Sequence, residues 1–146
     1  MDDRVIGNPR DIEIDTSTPS VARMYDYYLG GKDNFQVDRD AVDRVSQAMP
    51  EIRQLAQENR AFLRRAVRYM AGQGITQFLD IGSGLPTVGN THEIAQGINP
   101  AARVVYVDND PIVLAFGRAL LASDANTAVA TADMHRPAEV LEHPET

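Results

Sequence analysis

Two glycines and three aspartates in the second half of the chain have the types and spacing of a ligand site. Gly82 and Gly84 follow an apolar segment that carries Asp80 near its end, and Asp108 and Asp133 each end a further apolar segment. Glycine lets the backbone approach a ligand without a side chain in the way. Asp108 lies roughly 20 residues or a little more beyond the glycines, where an acid can accept hydrogen bonds from both hydroxyls of a ribose. The three acids could therefore contact different parts of a nucleoside.

Most of these residues also have a structural explanation. A Gly-x-Gly pattern after a strand occurs in ordinary tight turns, and by itself it is weak evidence for a ligand. Asp133 could equally cap the turn at Met134 and His135, and Asp110 is better explained as a helix cap than as a ligand. Asp108 is harder to explain in this way, because Asp110 already supplies the cap.

Asp80 distinguishes this loop from a dinucleotide-binding loop. A dinucleotide fold more often has an apolar residue at this position, and a carboxylate suits a cationic ligand better than a pyrophosphate. The dinucleotide pattern also needs a glycine two or three residues after the second one, but residues 85–87 are Leu, Pro and Thr, and Gly89 comes too late. A nicotinamide-dependent oxidoreductase is therefore the weakest of the functional hypotheses.

Alternating strand and helix patterns position these residues. Short, largely apolar segments at residues 77–81, 103–107 and 128–133 predict strands, and the first is apolar enough for a parallel strand buried on both faces. Helical patterns at residues 91–98 and 111–122 separate them. This order predicts an α/β fold with a doubly wound parallel sheet.

Three more helices are predicted before the first strand. They cover residues 21–29, 38–49 and 51–71, with Thr18 as the first cap and Pro19 in the first turn. The third helix carries an arginine stripe opposite its apolar face, and we favour a solvated surface over contact with a phosphate or an acidic partner. The stripe consists of Arg53, Arg60, Arg64 and Arg68.

The composition argues against several classes of site and partner. A net charge of −7, from 14 Lys and Arg against 21 Asp and Glu, disfavours nucleic-acid binding. There are no cysteines, and His92, His135 and His143 have no partners at metal-ligand spacing, so no metal site is predicted. Nothing resembles a signal peptide or a span of about 20 apolar residues. We therefore expect a soluble, cytoplasmic protein without a membrane partner.

Several motifs, in the same order, resemble a bacterial family of S-adenosylmethionine-dependent methyltransferases. They are ARMYDYYLGGKDNF, NRAFLRRAVRYM, FLDIGSGLPTVGN, VVYVDNDPIV and TADM, and the resemblance extends from about Ile14 to the C-terminus. It implies a Rossmann-like class I methyltransferase fold with S-adenosylmethionine as the cofactor. The organisation it implies is a flexible lead-in over residues 1–17, an N-terminal helical extension or lid over 18–74, and the cofactor-binding half of the methyltransferase domain over 75–146.

The resemblance also implies roles for individual residues. By that likeness, the loop after the first strand flanks the methionine part of the cofactor, the acid after the second strand takes the ribose hydroxyls, and the acid after the third reaches the adenine amino group. Two further residues border the adenine. Apart from the resemblance, the loop after the first helix is a candidate to fold over the cofactor, because aromatic faces stabilise a sulfonium. In that order, the predicted cofactor-binding residues are Asp80, Gly82, Ser83 and Gly84, then Asp108, Asp133, Asn109 and Met134, then Tyr28, Gly31 and Lys32. Tyr25, Tyr28 and Phe35 are candidates to face the sulfonium as a lid, although packing of the two tyrosines onto the domain is the favoured alternative.

The chain departs from this family in length. A class I sheet usually has seven strands and only three are predicted here, so we expect the cofactor half without the fourth strand and the substrate half. The segment at residues 77–81 would then present an open apolar edge, a template for a homo-oligomer. The first hypothesis is a methyltransferase, complete or truncated, and the second is an inactive nucleoside-binding or interaction module. Methyl transfer needs alignment more than an acid or a base, and no catalytic residue or methyl acceptor is assigned.

Overall fold

The structure, a computed structural model, describes residues 14–121 and 124–146 and shows an α/β fold around a three-stranded parallel sheet. The helices are α1 (Val21–Tyr28), α2 (Gln36–Ala48), α3 (Ile52–Gly72), α4 (Thr91–Ile98), α5 (Pro111–Leu121) and α6 (Pro137–Leu141), and the strands are β1 (Gln77–Ile81), β2 (Arg103–Asp108) and β3 (Thr127–Thr131). The predicted alternation of strand and helix is confirmed. Most of the predicted lead-in, residues 1–17, lies outside the described residues, and the predicted domain boundaries stay a prediction.

The strands lie side by side in the order β1, β2, β3, and both pairs are parallel. Their carboxyl ends therefore lie at one edge of the sheet, where Asp80 pairs with Tyr106 and Asp108 pairs with Thr131. Asp133 does not end a strand as predicted, because β3 stops at Thr131 and the chain then turns. The carboxylates of β1 and β2 are thus fixed by the sheet, whereas Asp133 depends on the turn that follows β3.

Side chains of alternate residues on β2 point to opposite faces of the sheet, and each face is covered differently. On one face, Val104 packs with Val67 of α3 and Ala95 of α4 in a single buried cluster. On the other face, Val107 packs with Val140 of α6. Because Val67 lies on α3, this cluster attaches the N-terminal helices α1–α3 to the sheet.

Strand β1 is less buried than its composition suggests. The prediction that it is buried on both faces is wrong, since Leu79 is 36% exposed and Ile81 is 47% exposed. The physical reason is its position at the edge of the described sheet, where Leu79 and Ile81 have neighbours on β2 alone. The cluster around Val140 of α6, on the same face, contains residues of β2 and β3 and none of β1. The expected open apolar edge is thus present in the structure.

A buried ion pair fixes the start of the chain's helical part. Arg23 Nε lies 2.8 Å from Asp38 Oδ2, and these side chains are 3% and 0% exposed. The Asp38 carboxylate also accepts the Ser20 N–H at 2.9 Å and the Phe35 N–H at 2.8 Å. Burial by itself raises the pKa of Asp38, but the hydrogen bonds from Arg23 and the two backbone amides hold it below its ordinary value.

The first helix begins at Val21 as predicted, but its cap lies two residues later than predicted. Its N-cap is Ser20, whose hydroxyl accepts the Arg23 N–H, so Thr18 is not the cap and Pro19 is not in the first turn. Thr18 instead donates its hydroxyl to Asp15, and its carbonyl accepts a hydrogen bond from Arg23 Nη2. No helix in the described part of the chain is long and apolar enough to cross a membrane.

Candidate cofactor site

A cavity of about 580 Å³, here called the cofactor cavity, lies where β1 and β2 end and where α1 and α3 face the sheet. This volume falls within the ordinary range for small-molecule sites, about 300–1,000 Å³. The predicted cofactor-binding residues that line it are Asp80, Gly82, Ser83, Gly84, Asp108, Asn109 and Met134. The structure therefore brings together residues from the ends of two strands and from the turn after β3.

The backbone N–H groups of the glycine loop point towards β2. Gly82 and Gly84 have φ values of +70° and +68°, a left-handed conformation that favours glycine over residues with a Cβ. The N–H groups of Gly82 and Ser83 donate to the Val107 carbonyl at 2.8 and 3.3 Å, and the Gly84 N–H donates to Asp108 Oδ2 at 3.0 Å. These three amides are therefore committed to β2, which does not suit a pyrophosphate that needs them as donors.

The N-terminus of helix α4 has fewer unpaired backbone N–H groups than its position after the glycine loop predicts. The Asn90 N–H donates to Glu93 Oε2 at 2.7 Å, and the His92 N–H donates to the Tyr106 hydroxyl at 2.9 Å. Glu93 also places a negative charge in the first turn. Both features disfavour a phosphate at this helix terminus and agree with the sequence-based argument against a dinucleotide.

Asp108 retains capacity for a ligand. Its Oδ2 accepts the Gly84 N–H at 3.0 Å, and its Oδ1 accepts the Asp110 N–H at 2.9 Å. A carboxylate has about four lone-pair sites, so each oxygen can still accept one more donor. Asp110 itself caps α5 as predicted, since its Oδ1 accepts the Ile112 N–H at 3.0 Å, and its Oδ2 accepts the Ser20 hydroxyl at 2.5 Å.

A smaller cavity of about 160 Å³, here called the inner cavity, adjoins the cofactor cavity beneath the glycine loop. The two share Asp80, Ser83, Gly84 and Arg60 in their linings. Asp80 Oδ2 accepts the Thr91 hydroxyl at 2.7 Å, which ties the end of β1 to the start of α4. Beside Asp80, the inner cavity is lined by Tyr106 and His92, whose hydroxyl and Nδ1 atoms lie 2.8 Å apart. Burial raises the pKa of Tyr106.

Asp133 has the capping role that the sequence left open as an alternative. Its Oδ1 accepts the His135 N–H at 2.9 Å and lies 2.8 Å from His135 Nδ1. The backbone and side-chain contacts with His135 lower the pKa of Asp133. Met134, which follows it, lines the cofactor cavity and is 62% exposed.

The loop after α1 does not lie where the sequence analysis predicts. Tyr28 is only 7% exposed and packs with Val42 and Ala56 in a cluster of helical residues, where burial raises its pKa. Lys32 is exposed, and Gly31 borders a third cavity of about 480 Å³ beside the loop at residues 86–88. The structure does not bring these residues into the cofactor cavity.

Helix α3 supplies wall residues that the sequence analysis missed. They are Asn59, Arg60, Phe62 and Leu63. From α1, Tyr25 also lines the cavity, with its hydroxyl donating to the Ala56 carbonyl at 3.1 Å and accepting the Asn59 amide at 3.0 Å. The sequence pattern that could have identified these residues is their helical spacing, but helical spacing does not show which face of the helix meets the sheet.

The expectation of a solvated arginine stripe is wrong for two of its members. Arg60 Nη2 donates to Asn90 Oδ1 at 2.9 Å, and Arg64 Nη2 donates to the Val88 carbonyl at 2.5 Å. Burial lowers the pKa of Arg60, and the nearby positive charge of Arg64 lowers it further. The reason is tertiary, because the loop before α4 folds over this face of α3.

Among the described residues, no group of three or more His, Cys, Asp or Glu side chains is placed to hold a metal ion.

The parallel sheet, its helices and the carboxylates at the strand ends define a Rossmann-like class I methyltransferase fold. A family model described as S-adenosyl methyltransferase matches residues 8–146, and the chain belongs to this family.

Two solved structures are similar to this chain. A candidate methyltransferase from Thermobifida fusca YX has 56% sequence identity and a TM-score of 0.87, and the match covers 96% of this chain and 52% of that one. A DUF574 family protein from Streptomyces avermitilis MA-4680 has 49% identity and a TM-score of 0.86, with 92% and 52% of the two chains covered. The chain thus spans about half the length of both. No curated protein matches it significantly.

Proposed function

We propose that this chain forms the S-adenosylmethionine-binding part of a methyltransferase. The observation that carries the proposal is the Asp108 carboxylate, which faces a cavity of about 580 Å³ and holds one backbone amide on each oxygen. Two adjacent hydroxyls of a ribose match the remaining lone pairs of such a carboxylate. Membership of the S-adenosyl methyltransferase family supports the same ligand.

The rest of the cavity suits the other parts of this cofactor. Asn109 and Met134 line the cavity and border the adenine. Asp133 is not among the residues that line the cavity, and its contact with the adenine amino group stays an implication of the resemblance. At the opposite side, Asp80 and the glycine loop flank the methionine part, where a carboxylate favours a ligand with positive charge. The N–H groups of the glycine loop already donate to β2, which supports a ligand without phosphates. Cofactor contacts of Tyr28, Gly31 and Lys32 stay predictions from the sequence.

The bound cofactor supplies an activated methyl group on a sulfonium. The contribution of this chain is orientation, since fixing the reacting groups in line accounts for much of the barrier reduction in such a displacement. Asp108 fixes the ribose, and the glycine loop allows close approach of the backbone. Tyr25 presents an aromatic side chain to the same cavity, and aromatic faces stabilise cations such as a sulfonium.

Isothermal titration with S-adenosylmethionine and S-adenosylhomocysteine tests the proposal. The wild-type chain should bind both, and Asp108→Ala should weaken binding about 100-fold or more, because two hydrogen bonds to a charged group are lost. Asp43→Ala is the matched control, since it removes an exposed acid on α2. Thermal unfolding of each variant checks that the fold is retained. A wild-type chain that takes up neither ligand refutes the proposal.

The open edge of β1 favours a second candidate function, an inactive nucleoside-binding or interaction module that associates with another copy. Exposed apolar residues such as Leu79 and Ile81 on an edge strand are a template for pairing. Light scattering should then give the mass of two or more copies, and Leu79→Lys should give that of one. Methyl transfer to any acceptor by the purified chain would rule out the inactive module.

A further inference from the structure

The cofactor cavity is lined by helical residues as well as by the strand ends. This helical wall consists of Val21, Ala22 and Tyr25 from α1 and of Asn59, Arg60, Phe62 and Leu63 from α3. Only Tyr25 among them has a part in the proposed cofactor site. Val21 is 83% exposed and Phe62 is 61% exposed. Large apolar side chains that stay exposed around a cavity indicate a surface that a further molecule covers.

Polar and apolar side chains of the helical wall are neighbours. Asn59 and Phe62 are three residues apart on α3, a spacing that brings two side chains onto one face of a helix. Asn59 Nδ2 donates to the Tyr25 hydroxyl at 3.0 Å, which joins α3 to α1. A molecule that packs on the ring of Phe62 is therefore within reach of the Asn59 amide and of Tyr25, the residue proposed to face the sulfonium.

The hydrogen bonds of Tyr25 decide which atom of the Asn59 amide is available to a ligand. A tyrosine hydroxyl has one hydrogen, and Tyr25 donates it to the Ala56 carbonyl at 3.1 Å. The Tyr25 oxygen can therefore only accept from Asn59, so the NH₂ group of the amide must face it. Among the described residues, none donates a hydrogen bond to Asn59 Oδ1. Asn59 thus contributes an uncharged hydrogen-bond acceptor to the lining of the cavity.

The charged residues of the cavity restrict what can be methylated there. Its described lining includes three carboxylates and no histidine. Asp108 is assigned to the ribose, Asp110 caps α5, and Asp80 is shared with the inner cavity. No base is thus assigned to the helical wall, and a hydroxyl nucleophile needs one to take its proton. An alkyl amine, with an ordinary pKa of about 10.4, is protonated at neutral pH and has no lone pair to react. A weakly basic aromatic amine keeps both a lone pair and an N–H group without a base.

We propose that the helical wall binds the methyl acceptor, a neutral aromatic amine whose N–H group donates to Asn59 Oδ1 and whose ring packs on Phe62. The inference rests on the proposed function, because the cofactor supplies the methyl group. The nitrogen lone pair forms the bond to the methyl carbon, and the carbon–sulfur bond breaks with its electron pair passing to sulfur. The surplus proton on nitrogen passes to water. Asn59 determines specificity in this reaction, because its hydrogen bond orients the nitrogen lone pair.

The test is a ligand-observed NMR titration in the presence of S-adenosylhomocysteine. The probes are 4-methylaniline, benzylamine and p-xylene, which have the same number of non-hydrogen atoms and carry a neutral N–H group, an ammonium group and no donor. Wild-type protein should bind 4-methylaniline more tightly than benzylamine. Asn59→Leu should weaken 4-methylaniline about 3- to 10-fold, as expected for one hydrogen bond between neutral groups, and leave p-xylene unchanged. Gln54→Leu makes a similar change at an exposed position of α3 and should behave as wild type.

The possible outcomes separate this inference from the proposed function. A wild-type chain that does not bind S-adenosylhomocysteine refutes both. If it binds this ligand but takes up 4-methylaniline no better than benzylamine, the cofactor site stands and the acceptor site is overturned. Full affinity of Asn59→Leu for 4-methylaniline overturns the role of Asn59. With S-adenosylmethionine in place of its product, mass spectrometry should detect methylated 4-methylaniline and no methylated 4-methylphenol, and the reverse result overturns the choice of an amine.

Discussion

Replacement of Asp38 by asparagine tests whether one buried charge holds the N-terminal helices beside the cavity. The carboxylate is 0% exposed and accepts three donors, namely Arg23 Nε and the N–H groups of Ser20 and Phe35. Asparagine keeps one oxygen and turns its NH₂ group towards at least one of those donors. Arg23, whose side chain is 3% exposed, is then left without a counter-charge.

The expected loss follows from these contacts. Removal of one partner from a buried ion pair costs about 3–5 kcal/mol of unfolding free energy. Arg23 still donates to the carbonyls of Asp15 and Thr18, at 2.9 and 2.6 Å, so we expect the lower part of that range, about 3–4 kcal/mol. For a chain of this size, that corresponds to a fall in Tm of about 10 °C.

Urea unfolding followed by circular dichroism measures this loss. Asp43→Asn is the matched control, because it makes the same chemical change at an exposed position of α2 and should stay within about 0.5 kcal/mol of wild type. Because Ser20 also donates to Asp110 beside the cavity, Asp38→Asn should weaken cofactor binding too. A loss of less than about 1 kcal/mol, equal to that of the control within error, would refute the assigned role of the ion pair.

Three further predictions concern close contacts and pH. Gly117→Ala should cost about 1–3 kcal/mol in urea unfolding, because its Cβ would stand 2.9 Å from a methyl carbon of the stiff Val129 side chain, and wild-type stability would contradict this packing. Gly89→Ala should cost about 1–2 kcal/mol, since φ is +73° and the new Cβ would meet Arg64 Nε at 2.7 Å; an unchanged Tm would show that the loop relaxes freely. The pKa of Asp38 is lowered on folding, so its carboxylate stabilises the fold above about pH 4 and this contribution is lost as the pH falls through the folded-state pKa. Unfolding curves measured between about pH 6 and pH 3 should therefore converge for wild type and Asp38→Asn, and parallel curves would contradict the assignment.

The sequence determined the fold class and the centre of the site because both depend on local patterns. Apolar segments separated by amphipathic helices specify a parallel α/β sheet, and parallel strands place the residues at their carboxyl ends along one edge. Asp80, Gly82 and Asp108 therefore meet at one cavity in the structure, as their positions in the sequence predict. Glycine at positions 82 and 84 permits the left-handed turns seen there, which residues with a Cβ rarely adopt.

Only the tertiary structure decided which residues from other parts of the chain complete the site. Helical spacing identifies a face of α3 but not what covers it, so Arg60 was expected in solvent and instead lies under the loop before α4. The sequence left two roles open for Tyr28, contact with the cofactor or packing onto the domain, and the structure packs its ring with Val42 and Ala56 in the core of the helical part. Strand β1 has the composition of a buried strand, yet its burial depends on the strand beside it and on the helix that covers each face, and neither is a property of the segment itself.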